Sequence, residues 1–416
     1  MSNRPYLKDI SHLLFGSISA QAIALFFMPI LTRLYTPEQF GIYSYQVQVA
    51  TGLGLFIAFR LENVIQIPNK KIAVTALYHF ITFISVLTFI VFFLVFSLFH
   101  ILNVSLLGLS SFEAFTCLLL AWLITHNAAS QGLLQWSQKY SISGFGEIAN
   151  KSTYVFFSIF SLRGFDFYNQ ILGHGLGLIS KQWVYSRVLQ PYETISRYSI
   201  IRGLILAKRL WSLASSVLIS HIFLVVTTIA PMFFVKEYFS GESLGFYTLT
   251  IGTLFLPTML ISVAVGSVYF ERGIKIKSSN EPFMTHWLRT VGLVTCLALP
   301  IFSIPFFFGE DVYALVFGNI WRDSGTIAAV LSIPAMLGFV SSVVDRTCII
   351  AGNIYYGPLW HLLRAISMVA ICIFSKVEEV DFEFFLILLS VQMSVLYVLD
   401  VMSQLIFARN IEFNYE

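Results

Sequence analysis

Charged residues are scarce in this 416-residue chain: Asp, Glu, Lys and Arg together make up 11%, where a soluble domain carries about 25%. That shortage excludes a soluble enzyme, a solvated disordered chain and a nucleic-acid-binding module. An excess of one sign is missing too, since a net charge of +3 offers little to a polyanion in water. Only four cysteines occur (Cys117, Cys296, Cys348 and Cys372), each in an apolar stretch and none at metal-ligand spacing. They imply neither a disulfide framework nor a zinc site, and no cofactor is expected. No segment alternates polar and apolar over about ten residues, which excludes a membrane β-barrel. The first apolar stretch runs into Thr32-Arg33-Leu34-Tyr35 without a small-residue cleavage site, and reads as a retained helix rather than a signal peptide.

What remains is apolar. Hydrophobic residues make up 57% and the mean hydropathy is +0.79, the composition of a polytopic membrane protein. A crossing helix needs about 20 mostly apolar residues. That ruler predicts twelve spans, at 10–31, 41–59, 74–98, 112–135, 142–162, 168–187, 211–234, 245–268, 287–308, 325–346, 356–375 and 384–406. The fifth, sixth and tenth carry the most charge or small polar residues. With the N-terminus inside, sixteen Lys and Arg fall in cytoplasmic loops and five in the opposite loops, while Lys151, Lys181, Arg289 and Arg364 lie within or at the edges of spans. This is the positive-inside bias, and it predicts an inner-membrane protein with both termini cytoplasmic. Every opposite loop is short, so the extramembrane surface that a glycosyltransferase or polymerase uses is missing. The expected role is to move or bind something, not to catalyse.

The longest cytoplasmic connection, 189–210, places Ile195, Tyr198, Ile201, Leu204 and Ile205 at helical spacing, with Arg197, Arg202, Lys208 and Arg209 mostly off that set. It reads as a basic amphipathic helix on the inner leaflet, dividing the spans six and six. The halves also share a motif: Thr36-Pro-Glu-Gln-Phe-Gly-Ile-Tyr43 matches Ser240-Gly-Glu-Ser-Leu-Gly-Phe-Tyr247 at an offset of 204. Together these features favour a parallel internal repeat. Thr36 also suits an N-cap, Pro37 the first helical position and Glu38 the positive helix end, so Glu38 and Glu242 read as capping residues first and gating residues second.

Leu-Leu-Phe-Gly-Ser (13–17) followed by Met-Pro-Ile-Leu-Thr-Arg-Leu-Tyr-Thr-Pro-Glu-Gln-Phe-Gly-Ile-Tyr (28–43) resembles the start of Wzx-type O-antigen flippases, in the polysaccharide transporter branch of the multidrug/oligosaccharidyl-lipid/polysaccharide exporter superfamily. Phe59-Arg60-Leu61-Glu62 with Ile67-Pro68 resembles that family's Arg-Tyr-Glu and Leu-Pro pattern, Leu61 replacing the usual Tyr. Phe317-Gly318-Asn319-Ile320-Trp321-Arg322 resembles the segment before its tenth helix. The resemblance implies an all-α, MATE-like fold of twelve transmembrane helices. These form two six-helix lobes, 1–188 and 211–416, related by a parallel pseudo-two-fold and joined by the amphipathic linker 189–210. It implies alternating access and a cargo of undecaprenyl pyrophosphate bearing an oligosaccharide such as an O-antigen repeat unit, in lipopolysaccharide biosynthesis. Partners would be that lipid-linked oligosaccharide, membrane lipid, and the glycan polymerase and chain-length proteins of the pathway, with no nucleic acid.

Such a cargo needs cations for pyrophosphate and polar groups for sugar. Ionisable groups deep in a membrane are functional candidates by default. Glu147 and Lys151 lie four apart on one helix face: either they form an internal ion pair, or Lys151 meets pyrophosphate while Glu147 takes a coupling proton. His174, Gly177 and Lys181 line one face of the sixth span, with snorkelling to the interface the competing role for Lys181. His361 and Arg364 share a face of the eleventh. Asn127, Gln131 and Gln135 form a stripe on the fourth that serves either as interhelical glue or as a sugar-binding wall. Arg60, Glu62 and Arg272 at helix ends are gate candidates, or ordinary positive-inside residues. His221, alone on its face, is expected to hydrogen-bond within the bundle. A cation exporter of the same superfamily is the rival within transport, and it would favour acidic residues inside the membrane. A membrane-embedded polymerase or ligase is the rival from another class.

Overall fold

The computed structural model describes residues 4–102, 104, 107–160, 168–192, 195–279 and 281–413. Side chains of residues 4–15, 17, 191, 263, 264, 412 and 413 fall outside that description, and with them most of the 13–17 motif. Among the described residues all regular structure is helical. The helices are α1 (Arg4–Leu34), α2 (Pro37–Ile57), α3 (Lys71–Ile101), α4 (Ser111–Trp136), α5 (Tyr140–Ile159), α6 (Asn169–Leu189) and α7 (Arg197–Tyr238). They continue with α8 (Gly241–Leu254), α9 (Leu256–Ser279), α10 (Phe283–Phe317), α11 (Arg322–Val344), α12 (Thr347–Ala351), α13 (Tyr356–Val377) and α14 (Phe382–Phe413). Because α8 and α9 make one rod, Gly241–Ser279, and α12 ends another, Asn319–Ala351, the described residues form twelve helical rods.

Eight of these rods are long and apolar enough to cross a membrane, and the chain is a multi-pass membrane protein. The rod at the tenth predicted span is among the eight, despite its small polar residues. The fifth and sixth, α5 and α6, are not: Glu147, Lys151 and Lys181 and their glycines hold down the hydropathy. The expected linker is not a separate element. Helix α7 runs unbroken from Arg197 to Tyr238, since nothing between the amphipathic stretch and Pro231 breaks a helix. Gly203 and Ala207 face α3 there, and a Cβ on Gly203 would meet Phe80 at 2.5 Å. Ile201, Leu204 and Ile205 on the other side are exposed.

The chain forms two compact units, Met1–Tyr35 with Ile42–Val225, and Thr36–Gly41 with Val226–Glu416. Each is built around one central helix. In the first unit the most apolar window of α4 is 56% buried, and in the second the rod holding α11 is 67% buried, against 28% or less in the other candidate spans. Both are the fourth rod of their half.

Within the second unit the resemblance motifs meet. Trp321, fully buried, takes Phe40 edge-on at 5.5 Å and Phe246 at 6.0 Å. Thr36 accepts from the Gln39 amide at 3.3 Å and Ser240 from the Ser243 amide at 3.0 Å, so each copy starts its helix with a side-chain cap. The two starts lie backbone to backbone. A Cβ on Gly41 would stand 2.6 Å from the Gly245 nitrogen, and one on Gly245 would overlap Pro37. Overpacking typically costs about 1–3 kcal/mol. Gly245→Ala should therefore lower the thermal unfolding midpoint in detergent, whereas Gly252→Ala, with nothing within 4 Å of the new methyl, should leave it unchanged or slightly raised. Equal midpoints for both variants would contradict the packing assigned to this contact.

Candidate functional site

In the first unit, α5 and α6 lie close because α6 puts small residues toward α5: a Cβ on Gly177 would come within 2.5 Å of Asn150 Oδ1. This approach decides how the charges pair. Lys181, buried on α6, donates to Glu147 Oε1 at 2.7 Å and to Gln131 Oε1 of α4 at 3.2 Å. Glu147 thus pairs across helices instead of with Lys151 on its own helix, and Lys181 does not snorkel. Lys151 is half-buried, with no ion-pair or hydrogen-bond partner among the described residues. Its ammonium lies 5.9 Å from the Tyr154 ring centroid, and the charges acting on it are those of Glu147 and Lys181.

Around that ammonium is an aromatic cluster. Tyr43 and Tyr154 stack at 5.8 Å, and His174 Nδ1 is hydrogen-bonded to Tyr43 Oη at 3.0 Å. Counting Lys151 and Lys181 against Glu147 leaves one uncompensated positive charge. The polar stripe on α4 is divided among separate tasks. Asn127 donates to the Leu123 and Leu178 carbonyls at 2.9 and 3.1 Å, joining α4 to α6, and its buried Oδ1 has no partner. Gln131 serves Lys181. Gln135 accepts from Gln66 at 2.7 Å at an exposed position. His221 hydrogen-bonds to its own helix at the Val217 carbonyl, 2.8 Å away.

In the second unit, Arg364 and His361 line a cavity of about 430 Å³ with Arg346, Asp345, Asp400 and Tyr397. The Arg364 guanidinium donates to Tyr397 Oη at 3.4 Å and lies 5.5 Å from its ring. Asp345 and Asp400 are members of this cavity that helical spacing alone does not reveal. Asp400 is buried and saturated: it accepts from Ser341, from Tyr356 Oη at 2.7 Å and from Gln404 at 3.2 Å. Ser341 and Tyr356 come from other helices, so spacing along α14 reveals only the Gln404 contact. Two arginines facing two aspartates leave this cavity balanced.

The sequence model of the polysaccharide biosynthesis protein family matches residues 30–326. This chain belongs to that family. No curated protein matches it. Among solved structures, this polysaccharide biosynthesis protein is similar to the lipid II flippase MurJ in an inward closed conformation, with a TM-score of 0.66 and 14% identity over 96% of this chain and 90% of that one. It is similar to an inward-facing multidrug resistance MATE family transporter of the MOP superfamily, with a TM-score of 0.64 and 12% identity over 99% and 96%. A third likeness is to a MOP superfamily transporter from Pyrococcus furiosus, with a TM-score of 0.59 and 13% identity over 97% and 96%. At these identities the shared property is the fold, which is MATE-like.

The gate candidates of this family member sit apart from both clusters. Arg60 and Glu62 pair at 3.3 Å in the turn after α2, where Phe59 and Arg60 both adopt left-handed backbone. Such conformations in non-glycine residues persist only where surrounding structure enforces them. Burial pushes the Glu62 carboxyl above its ordinary value, and Arg60 offsets part of that. Glu271 pairs with Lys275 at 2.7 Å, leaving its neighbour Arg272 free of it.

Removing one member of a buried pair strands the other charge, and costs about 3–5 kcal/mol where both are fully buried. Glu147 keeps about a quarter of its side chain exposed, so Lys181→Ala should cost less, about 2 kcal/mol, read as a lower unfolding midpoint. Lys181→Met with Glu147→Leu should recover most of that loss. A double variant no more stable than Lys181→Ala would contradict the pairing.

Proposed function

We propose that this protein is a flippase, not an enzyme, and that it carries an undecaprenyl-pyrophosphate-linked oligosaccharide across the inner membrane by alternating access. The observation that carries this reading is Lys151, a cation left without a partner inside the first unit. Even a half-buried charge inside the bundle that lacks an ion-pair partner among the described residues is costly, and an anionic cargo supplies one. Glu147 cannot, because Lys181 holds it. Membership of the polysaccharide biosynthesis family supports a glycan, and the fold shared with a lipid II flippase supports a lipid-linked one. We also take the chain as two six-helix lobes, 1–188 and 211–416, joined through 189–210. The matching burial of α4 and α11 supports that repeat, and an inverted superposition of 10–187 on 211–406 would reject it.

The likeness to multidrug MATE transporters favours a second reading, export of a cation. A cationic cargo needs an unengaged carboxylate in the bundle. Glu147 is paired, Asp400 already accepts three hydrogen bonds, and Asp345 lines its cavity with two arginines, Arg346 and Arg364, whose charges oppose a cation. The charge arrangement therefore supports the anionic cargo.

In cells that depend on this chain for surface glycan, Lys151→Ala and Arg364→Ala should each lower glycan production with membrane protein abundance near normal. Arg364→Lys should retain more function than Arg364→Ala, since Lys keeps the charge but not the guanidinium fork. Full glycan production by the Lys151→Ala, Arg364→Ala double variant would remove both residues from the mechanism.

A further inference from the structure

A cavity of about 540 Å³ in the second unit belongs to neither cluster above. It is a groove between α9 and α10, and its charges are ordered along its length. Arg272 of α9 lies seven residues inside the helix end at Ser279, and Arg289 of α10 lies six inside the start at Phe283. With a rise of about 1.5 Å per residue, both are about 10 Å from the mouth. Each is exposed, and neither has an ion-pair partner among the described residues. Arg272 lines the groove together with His286 and Arg289 of α10. His286 is fixed there by stacking on Tyr269 at 5.0 Å and by a hydrogen bond to the Tyr269 carbonyl at 3.3 Å. Other charges near these helix ends are engaged: Lys275 holds Glu271, and Lys277 donates to the Ile350 carbonyl.

Glu281 lines the same groove nearer the mouth, held against the end of α9 by its amide, which donates to the Ile276 carbonyl at 3.2 Å. Deeper than the arginines the wall is apolar, with Val265, Val268 and Leu293; Val268 and Leu293 are 50% and 57% exposed. From the bilayer interior outward, the groove therefore presents an apolar wall, then two cations, then one carboxylate. Basic pockets between membrane helices at the cytoplasmic side take lipid phosphates. An added carboxylate outside the cations calls for an ammonium beyond the phosphate.

We propose that this groove binds an aminophospholipid: an acyl chain lies along Val265, Val268 and Leu293, the phosphate diester sits between Arg272 and Arg289, and the primary ammonium reaches Glu281. The proposal is independent of the flippase reading, since it concerns a resident lipid and not the cargo.

The full chain, purified in detergent, is titrated with phosphatidylethanolamine, phosphatidylglycerol and phosphatidylcholine of identical acyl chains, and bound lipid is counted by native mass spectrometry. Phosphatidylethanolamine should bind about tenfold more tightly than either competitor, a difference of about 1.4 kcal/mol. Phosphatidylglycerol lacks the ammonium, and the methylated ammonium of phosphatidylcholine cannot donate to a carboxylate. Arg272→Gln with Arg289→Gln should abolish retention of phosphatidylethanolamine. Glu281→Gln, an exposed and nearly isosteric change, should keep lipid bound but erase the preference over phosphatidylglycerol. Equal or tighter binding of phosphatidylglycerol by the unaltered chain would overturn the proposal. So would an unchanged preference in Glu281→Gln, and that measurement stands even if the double arginine variant fails to fold.

Discussion

The contact between Lys181 and Glu147 governs the charge arrangement of the first unit. Neither group has an inexpensive alternative inside an apolar bundle, where an ionised side chain must find a partner or leave. Lys181 reaches Glu147 because Gly177 lets α6 settle against Asn150 on α5, and its second bond, to Gln131, ties in α4. Three helices are thereby registered by one ammonium. With Glu147 engaged by Lys181, Lys151 has no ion-pair partner among the described residues and lies beside Tyr154, in the cluster with Tyr43 and His174.

The second unit handles its charges differently. Asp400 receives hydrogen bonds from Ser341, Tyr356 and Gln404, and Gln404 in turn accepts from the Cys348 amide at 3.0 Å. The carboxylate ties α11, α12, α13 and α14 together as an acceptor, a structural use of charge that leaves Arg364 in the cavity with only a tyrosine hydroxyl and ring. The anchor at the other end of this unit is apolar. Trp321 fills the space between Phe40 and Phe246, and the glycines at 41 and 245 bring two capped helix starts into backbone contact. Both copies of the repeated motif are thus in one structural element, which explains why small residues stand at those positions.

Much of the fold was legible because the bilayer imposes it. The long apolar runs of α3, α7 and α10 announce themselves by length and hydropathy, and the cap at Thr36 follows from local chemistry alone. The polar helices α5 and α6 are less visible, because the residues that give the site its character also dilute the apolar signal. Pairing was the hardest feature to read. A spacing of four along one helix made Glu147 and Lys151 look like partners, whereas Lys181 enters from another helix, and one-dimensional spacing carries no information about such crossings. The same limit hid Asp400. The amphipathic segment before Trp211 was visible as a pattern, but its continuity with the following span was not, because a change of surroundings along a helix leaves the backbone unbroken.

Lys151, without an ion-pair partner among the described residues, is proposed to serve an anionic, lipid-linked glycan. The most direct measurement is transbilayer movement in proteoliposomes containing the purified chain, comparing a polyprenyl pyrophosphate-linked oligosaccharide with the same polyprenyl oligosaccharide joined without phosphate. The pyrophosphate-linked lipid should cross faster than in protein-free vesicles, while the uncharged analogue should not. Equal movement of both lipids, or movement of neither alongside efflux of an organic cation, would contradict it.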